Sequence, residues 1–265
     1  MAADRADWIE ALDGMLVFAD DLQRRTDEIM QGGTPPIVER VTYQMGLRGR
    51  RILQSARELA RHEWDDVVGN LSRSLVETAI ELDYLHKAVD DRSPEDKASL
   101  YECFALIAKE RFGERLDPAL QEMHAKALAF REKHGVKGHT WHGRKTSGDG
   151  SILDRLAILA GEDALQERRT EGLLRAFRQS SFFEHNNALQ VFYLERLPSG
   201  NCRVLEARPH AAPISAVVLS GSEILWAWGG VLGMSADVRQ EALRPVEMVQ
   251  RKDHGLGPDD LPPWA

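Results

Sequence analysis

Cysteine is nearly missing from this chain of 265 residues: Cys103 and Cys202 are the only two. Cys103 lies in the apolar run YECFALIA and reads as a buried thiol, whereas Cys202 lies in a turn-rich stretch. Such different contexts exclude a disulfide framework and point to a reducing compartment. No CxxC and no His-Glu-x-x-His is present, so the usual zinc spacings are absent as well. Basic charge is also in short supply. Lys and Arg number 34 against 42 Asp and Glu, for a net charge of −8. That balance opposes an extended duplex-DNA footprint, which shows as a basic face. It leaves room for a compact site for one or two phosphates. Long apolar runs are lacking too. The most apolar stretch, residues 214–234, is interrupted by Glu223, three serines and four glycines, so it reads as a buried bundle helix and not as a membrane span. The N-terminal MAADRADWIEALDGM carries acids among its apolar residues and is not read as a secretory leader. The expectation is a cytoplasmic protein with no membrane partner. No repeat of fixed period and no low-complexity tract occurs.

What the chain does have is helical periodicity. Trp8, Leu12, Met15, Leu16, Ala19, Leu22 and Ile29 recur at helical spacing through residues 5–30. Thr34 followed by Pro35 and Pro36 is a start signal for a second helix from Ile37 to about His62. A third runs from Trp64 to about Val89. Ser93 and Pro94, with acids behind them, start a fourth that ends near Phe112. Asp117 and Pro118 start a fifth that ends near His134. Residues 135–150 hold five glycines and no apolar period, so they read as a loop with Trp141 as its anchor. Helical patterning returns at Ser151 and again from Asp163 to about Tyr193. PSGN at 198–201 lies between VFYLERL and CRVLEARP and suits a small β-hairpin near 191–208. Further helices are expected near 212–232 and 235–250. The predicted fold is therefore all-α: a multi-helix bundle forming one domain over residues 1–250, with a Pro- and Gly-rich tail over 251–265.

Two helical segments could carry chemistry. In NLSRSLVETAIELDYL, Arg73 and Glu77 are four residues apart and face one another, and Glu81 follows four later. Leu71, Leu75, Val76 and Ile80 surround them, so the pair is expected to be largely buried. In RAFRQSSFFEHNN, Arg178 precedes His185 by seven residues, which places them within about 20° on one helix face. A cation and an imidazole so placed can hold a phosphate and move a proton. They can equally fill a polar seam. Ser181 and Asn186 lie beside them as candidate binding residues. His134, His139 and His142 offer imidazoles for zinc, but loop histidines are mostly solvated and no metal site is assigned. GRKTSGDG lacks the glycine spacing and preceding strand of a phosphate loop, so no cofactor is expected.

The helix RSLVETAIELDYL is similar to the signature helix of an uncharacterised bacterial family, the domain of unknown function 5677 family. There an Arg-x-x-x-Glu helix precedes a Trp-bearing loop and then a long helix with a Ser and a His near its end. The counterparts here are Arg73 and Glu77, the HTWHGRKTSGDG loop, Ser180 or Ser181, and His185. The likeness covers about residues 40–195 and implies a helical fold without naming an activity. RQSSFFEH also resembles the Arg-and-His helix of HEPN ribonucleases from toxin and phage-defence systems. Six residues intervene, at the long end of that motif, and Gln179 stands where it usually has Asn, Asp or His. This second resemblance implies metal-independent RNA cleavage, with His185 as general acid and base and Arg178 on the phosphate. RNA would then be the partner, and a homodimer would join two such faces. The alternative is a non-catalytic protein for ligand or partner binding, in which Arg73, Glu77 and His185 form a structural network.

Overall fold

The most apolar segment of the chain becomes the strut around which the others are arranged. The computed structural model describes residues 3–86, 92–111, 118–135, 194–196, 202–204 and 211–255. Among them are eight helices and one two-stranded hairpin, so the chain is an all-α bundle. In chain order, α1 is Arg5–Gly32, α2 Ile37–Arg61, α3 Asp65–His86, α4 Pro94–Arg111 and α5 Pro118–Lys133. Strands β1, Leu194–Arg196, and β2, Cys202–Val204, pair antiparallel with Leu194 opposite Val204, as the PSGN turn predicts. Helices α6, Ala211–Val231, α7, Ala236–Ala242, and α8, Arg244–His254, complete the order.

Helix α6 packs most heavily on α3, then on α2 and α1. Ile214, Val217, Val218, Ile224, Leu225 and Trp228 are fully enclosed. The helix is long and apolar enough to cross a membrane by length and composition, but more than half of it is buried within the bundle. Trp228 decides the spacing. Its indole ring lies so close to α2 that a Cβ on Gly46 would sit 2.4 Å from ring carbon Cδ2. Glycine is therefore needed at position 46 for the two backbones to approach. The indole Nε1–H cannot stay unpartnered at zero exposure. It donates to Thr26 Oγ1 at 2.9 Å, and the Thr26 hydroxyl donates to Leu22 O. One side chain thus ties α6 to α2 by contact and to α1 by a hydrogen bond.

The local signals explain most of the helix ends. Asp4 caps α1 by accepting from Asp7 N, and the Asp7 side chain returns the bond to Asp4 N. Ser93 Oγ accepts from Asp96 N at 3.1 Å at the start of α4, as expected. Thr34 does not serve that purpose for α2: Pro36 occupies the cap position and no side chain bonds there. The expected single helix over 235–250 is two helices. Pro245 has no N–H to continue the ladder, so the chain turns at Leu243 and α8 restarts with the proline in its first turn. At the α2–α3 corner, the Arg5 guanidinium forks onto the Asp65 carboxylate at 2.9 and 3.0 Å and also donates to Ala60 O. Asp65 is buried, so this fork satisfies a charge that water cannot reach.

Two stability outcomes follow from this packing. Gly46→Ala should destabilise the fold by about 1–3 kcal/mol, because overpacking against Trp228 outweighs the ~1 kcal/mol gained in helix propensity. A urea midpoint unchanged or raised in that variant would contradict the close approach. His86 supplies the second. Its ring is partly enclosed at the end of α3, where Nε2 meets Thr42 Oγ1 at 2.9 Å, and burial lowers its pKa. The neutral ring is then favoured in the folded state, so stability is full above the ordinary histidine value near 6.5 and falls as pH drops below it. His86→Gln should flatten that part of a stability–pH curve.

Candidate functional site

Helix α3 is enclosed on almost all sides, and one polar stripe runs along its least buried face. Arg73, Glu77 and Glu81 are all partly exposed, while Leu75, Val76, Thr78, Ala79 and Ile80 between them and Ser72 before them are buried. Arg73 Nε donates to Glu77 Oε1 at 3.0 Å, so the predicted pairing is present. The predicted burial is not. The two side chains keep 26% and 34% of their surface, which makes this a half-buried pair. Arg178, Ser181, His185 and Asn186 lie outside the described residues, as do the loop histidines His139 and His142 and most of the 135–150 loop. The structure therefore describes one arm of the expected site.

Beside that arm lies a second polar group that the sequence gave no reason to expect. Arg48 of α2 and Glu81 of α3 both lie near enough to the hydroxyl of Tyr101 on α4 to act on it. Burial first, and then the Glu81 charge, push the Tyr101 phenol above its ordinary range, while Arg48 opposes them. Three helices contribute one residue each, so no local spacing could reveal the group. Nearby, the Arg40 guanidinium grips Glu102 with Nε at 2.6 Å and Nη2 at 2.8 Å, which fixes α2 against α4. On α4 the Lys97 side chain is fully enclosed. Its ammonium donates to Tyr84 O at 3.0 Å and lies 4.5 Å from the centre of the Tyr84 ring. Tyr43, on the same α2 helix as Arg48, is held protonated by burial and by Glu39, with its pKa pushed up to about 12.

The solvent face of α1 and α2 carries a shallow open groove lined by Asp20, Arg24, Asp27, Glu28 and Arg50. Its charges largely neutralise one another: Arg24 bonds Asp21 and Glu28, Arg25 bonds Asp21, and Arg50 bonds Asp20. Among the described residues no group of three or more His, Cys, Asp or Glu is placed to hold a metal ion. Searches of family models, curated proteins and solved structures find no match to this chain.

The half-exposed geometry sets the size of the Arg73–Glu77 contribution. A fully buried pair would lose roughly 3–5 kcal/mol on removal of one partner. A pair at this exposure, four apart on a helix and reached by water, is worth about 0.3–1 kcal/mol. Glu77→Ala should lower the unfolding free energy by less than about 1 kcal/mol. A loss several times larger in chemical denaturation would mean that Glu77 answers for more charge than Arg73 alone.

Proposed function

We propose that this chain is a non-catalytic helical protein for ligand or partner binding, in which Arg73, Glu77 and His185 belong to a structural polar network. The observation that carries this reading is the 3.0 Å bond from Arg73 to Glu77. A guanidinium already bonded to a carboxylate on its own helix has its charge offset. A phosphate clamp needs the opposite, an excess of positive potential aimed at the anion. Arg48 and Glu81 both act on the Tyr101 phenol, so there too a cation and a carboxylate lie about one group. The net charge of −8 adds no general attraction for a polynucleotide. The two cysteines in unlike contexts support a reducing compartment, and a cytoplasmic protein goes with this reading.

The seven-residue spacing of Arg178 and His185 supports a second reading, a HEPN-like metal-independent ribonuclease of a toxin or defence module. Its substrate would be RNA, and a homodimer would supply two Arg–His faces. One paired measurement separates the readings. Purified protein is incubated with a mixed RNA pool beside the His185→Ala and Arg178→Ala variants, and all three are melted. The binding reading expects no cleavage by the wild type and a lowered melting temperature for His185→Ala. Cleavage by the wild type that both substitutions abolish, with melting temperatures unchanged, would replace it with the nuclease reading.

A further inference from the structure

We infer that the C-terminal arm, residues 235–254, opens as a unit from the rest of the bundle, with Arg239 as its latch. The arm comprises α7 and α8, joined to α6 by a turn in which Gly233 has a φ of 75°. It is thinly attached for its length. Helix α7 has no buried residue. Among residues 235–253 only Leu243, Val246 and Val249 are buried, while Val238 and Met248 are exposed at 51% and 61%. Three aliphatic side chains recover little against the entropy of ordering that much backbone. At the far end Lys252 Nζ reaches Asp7 at 2.6 Å, but both groups are solvent-accessible and the pair is screened.

One contact differs in kind. Arg239 lies flat against the C-terminal part of α6, its guanidinium carbon 4.1 Å from the centre of the Trp226 ring. Nη1 donates to Trp226 O at 2.9 Å. This joins a cation–π contact and a hydrogen bond to a helix carbonyl in a single side chain. Two glycines leave room for it: a Cβ at Gly229 would sit 3.1 Å from Cδ of Arg239, and one at Gly230 would sit 2.8 Å from Nη1, the movable end of the side chain. Leu243, Val246 and Val249 close the edge of the core, where the last helix packs mainly on α1, so among the described residues Arg239 is the one polar fork between the arm and α6 and its loss leaves only these three aliphatic contacts and the screened Lys252 pair to hold the arm.

Amide hydrogen exchange on the full chain tests the latch from both of its sides. In the wild type the amides of 238–252 should exchange together and faster than those of 214–226 in α6. Arg239→Ala should speed the arm by about tenfold and leave 214–226 within about twofold. Gly230→Ala, which crowds only the movable end of the Arg239 side chain, should speed the arm in the same direction but by less than Arg239→Ala, even though alanine favours the α6 helix. Arg239→Lys, which keeps the charge and loses the planar fork, should fall between wild type and alanine. The inference is overturned if the wild-type arm exchanges no faster than α6, if both substitutions leave the arm unchanged, or if they speed the arm and α6 alike.

Discussion

The enclosure of Trp228 against Gly46 is the constraint on which the rest of the bundle depends. A large indole must be buried to recover its apolar surface, and its N–H must then find an acceptor. Both needs restrict the neighbours. Helix α2 has to present a residue without a side chain, and α1 has to present an oxygen at the right height, which Thr26 does at 2.9 Å. Once these are met, the relative heights of α1, α2 and α6 are set together. The aliphatic contacts of Leu12, Leu22, Leu53 and Ile224 can then fill the remaining space at crystal-like density. Apolar contacts alone would tolerate a slip of one helix against another, and the Thr26 bond does not.

Polar side chains take up the joints that this core leaves open. Arg5 with Asp65 fixes the α2–α3 corner, Arg40 with Glu102 fixes α4 against α2, and Lys97 with Tyr84 O fixes α4 against the end of α3. The first two join residues 60 and 62 positions apart, and the third joins the consecutive helices α3 and α4. Each also uses a cation whose long apolar stem can be buried while its head finds an oxygen. The difference between them lies in exposure. Asp65 and Lys97 are enclosed, so losing a partner strands a charge, whereas Arg40 and Glu102 keep contact with water and lose less.

The helices were legible because their signals are local. Apolar spacing, Ser93 before Pro94 and Pro118 at a helix start place elements within a residue or two of where they lie. The break at Leu243 was equally local but was passed over, because the apolar pattern continues across Pro245 while the backbone ladder cannot. The burial of Arg73 was overestimated for a geometric reason. Residues spaced four apart advance 400° around a helix, so Arg73, Glu77 and Glu81 form a stripe that drifts by about 40° at each step. Their apolar sequence neighbours lie at other angles and enclose the opposite faces. A sequence neighbour is therefore a poor guide to what covers a side chain. The Arg48–Tyr101–Glu81 group was not legible at all, since its three members meet only after α2, α3 and α4 have packed.

On the binding reading proposed above, the polar stripe on α3 would limit what the bundle could recognise on this side. Both signs of charge lie along it, one cation followed by two carboxylates, Arg73 then Glu77 and Glu81, with Arg48 nearby. A simple anion brought to Arg73 must displace Glu77 or accept its repulsion at short range, and a simple cation meets the same conflict in reverse. A partner that carries both signs at matching spacing meets neither penalty, because each of its charges can replace one that the stripe already satisfies internally. Specificity of that kind comes from the cost of mismatched charge more than from the strength of any one pair. A half-buried stripe suits it, since partial exposure keeps each internal pair weak enough to exchange for an external one.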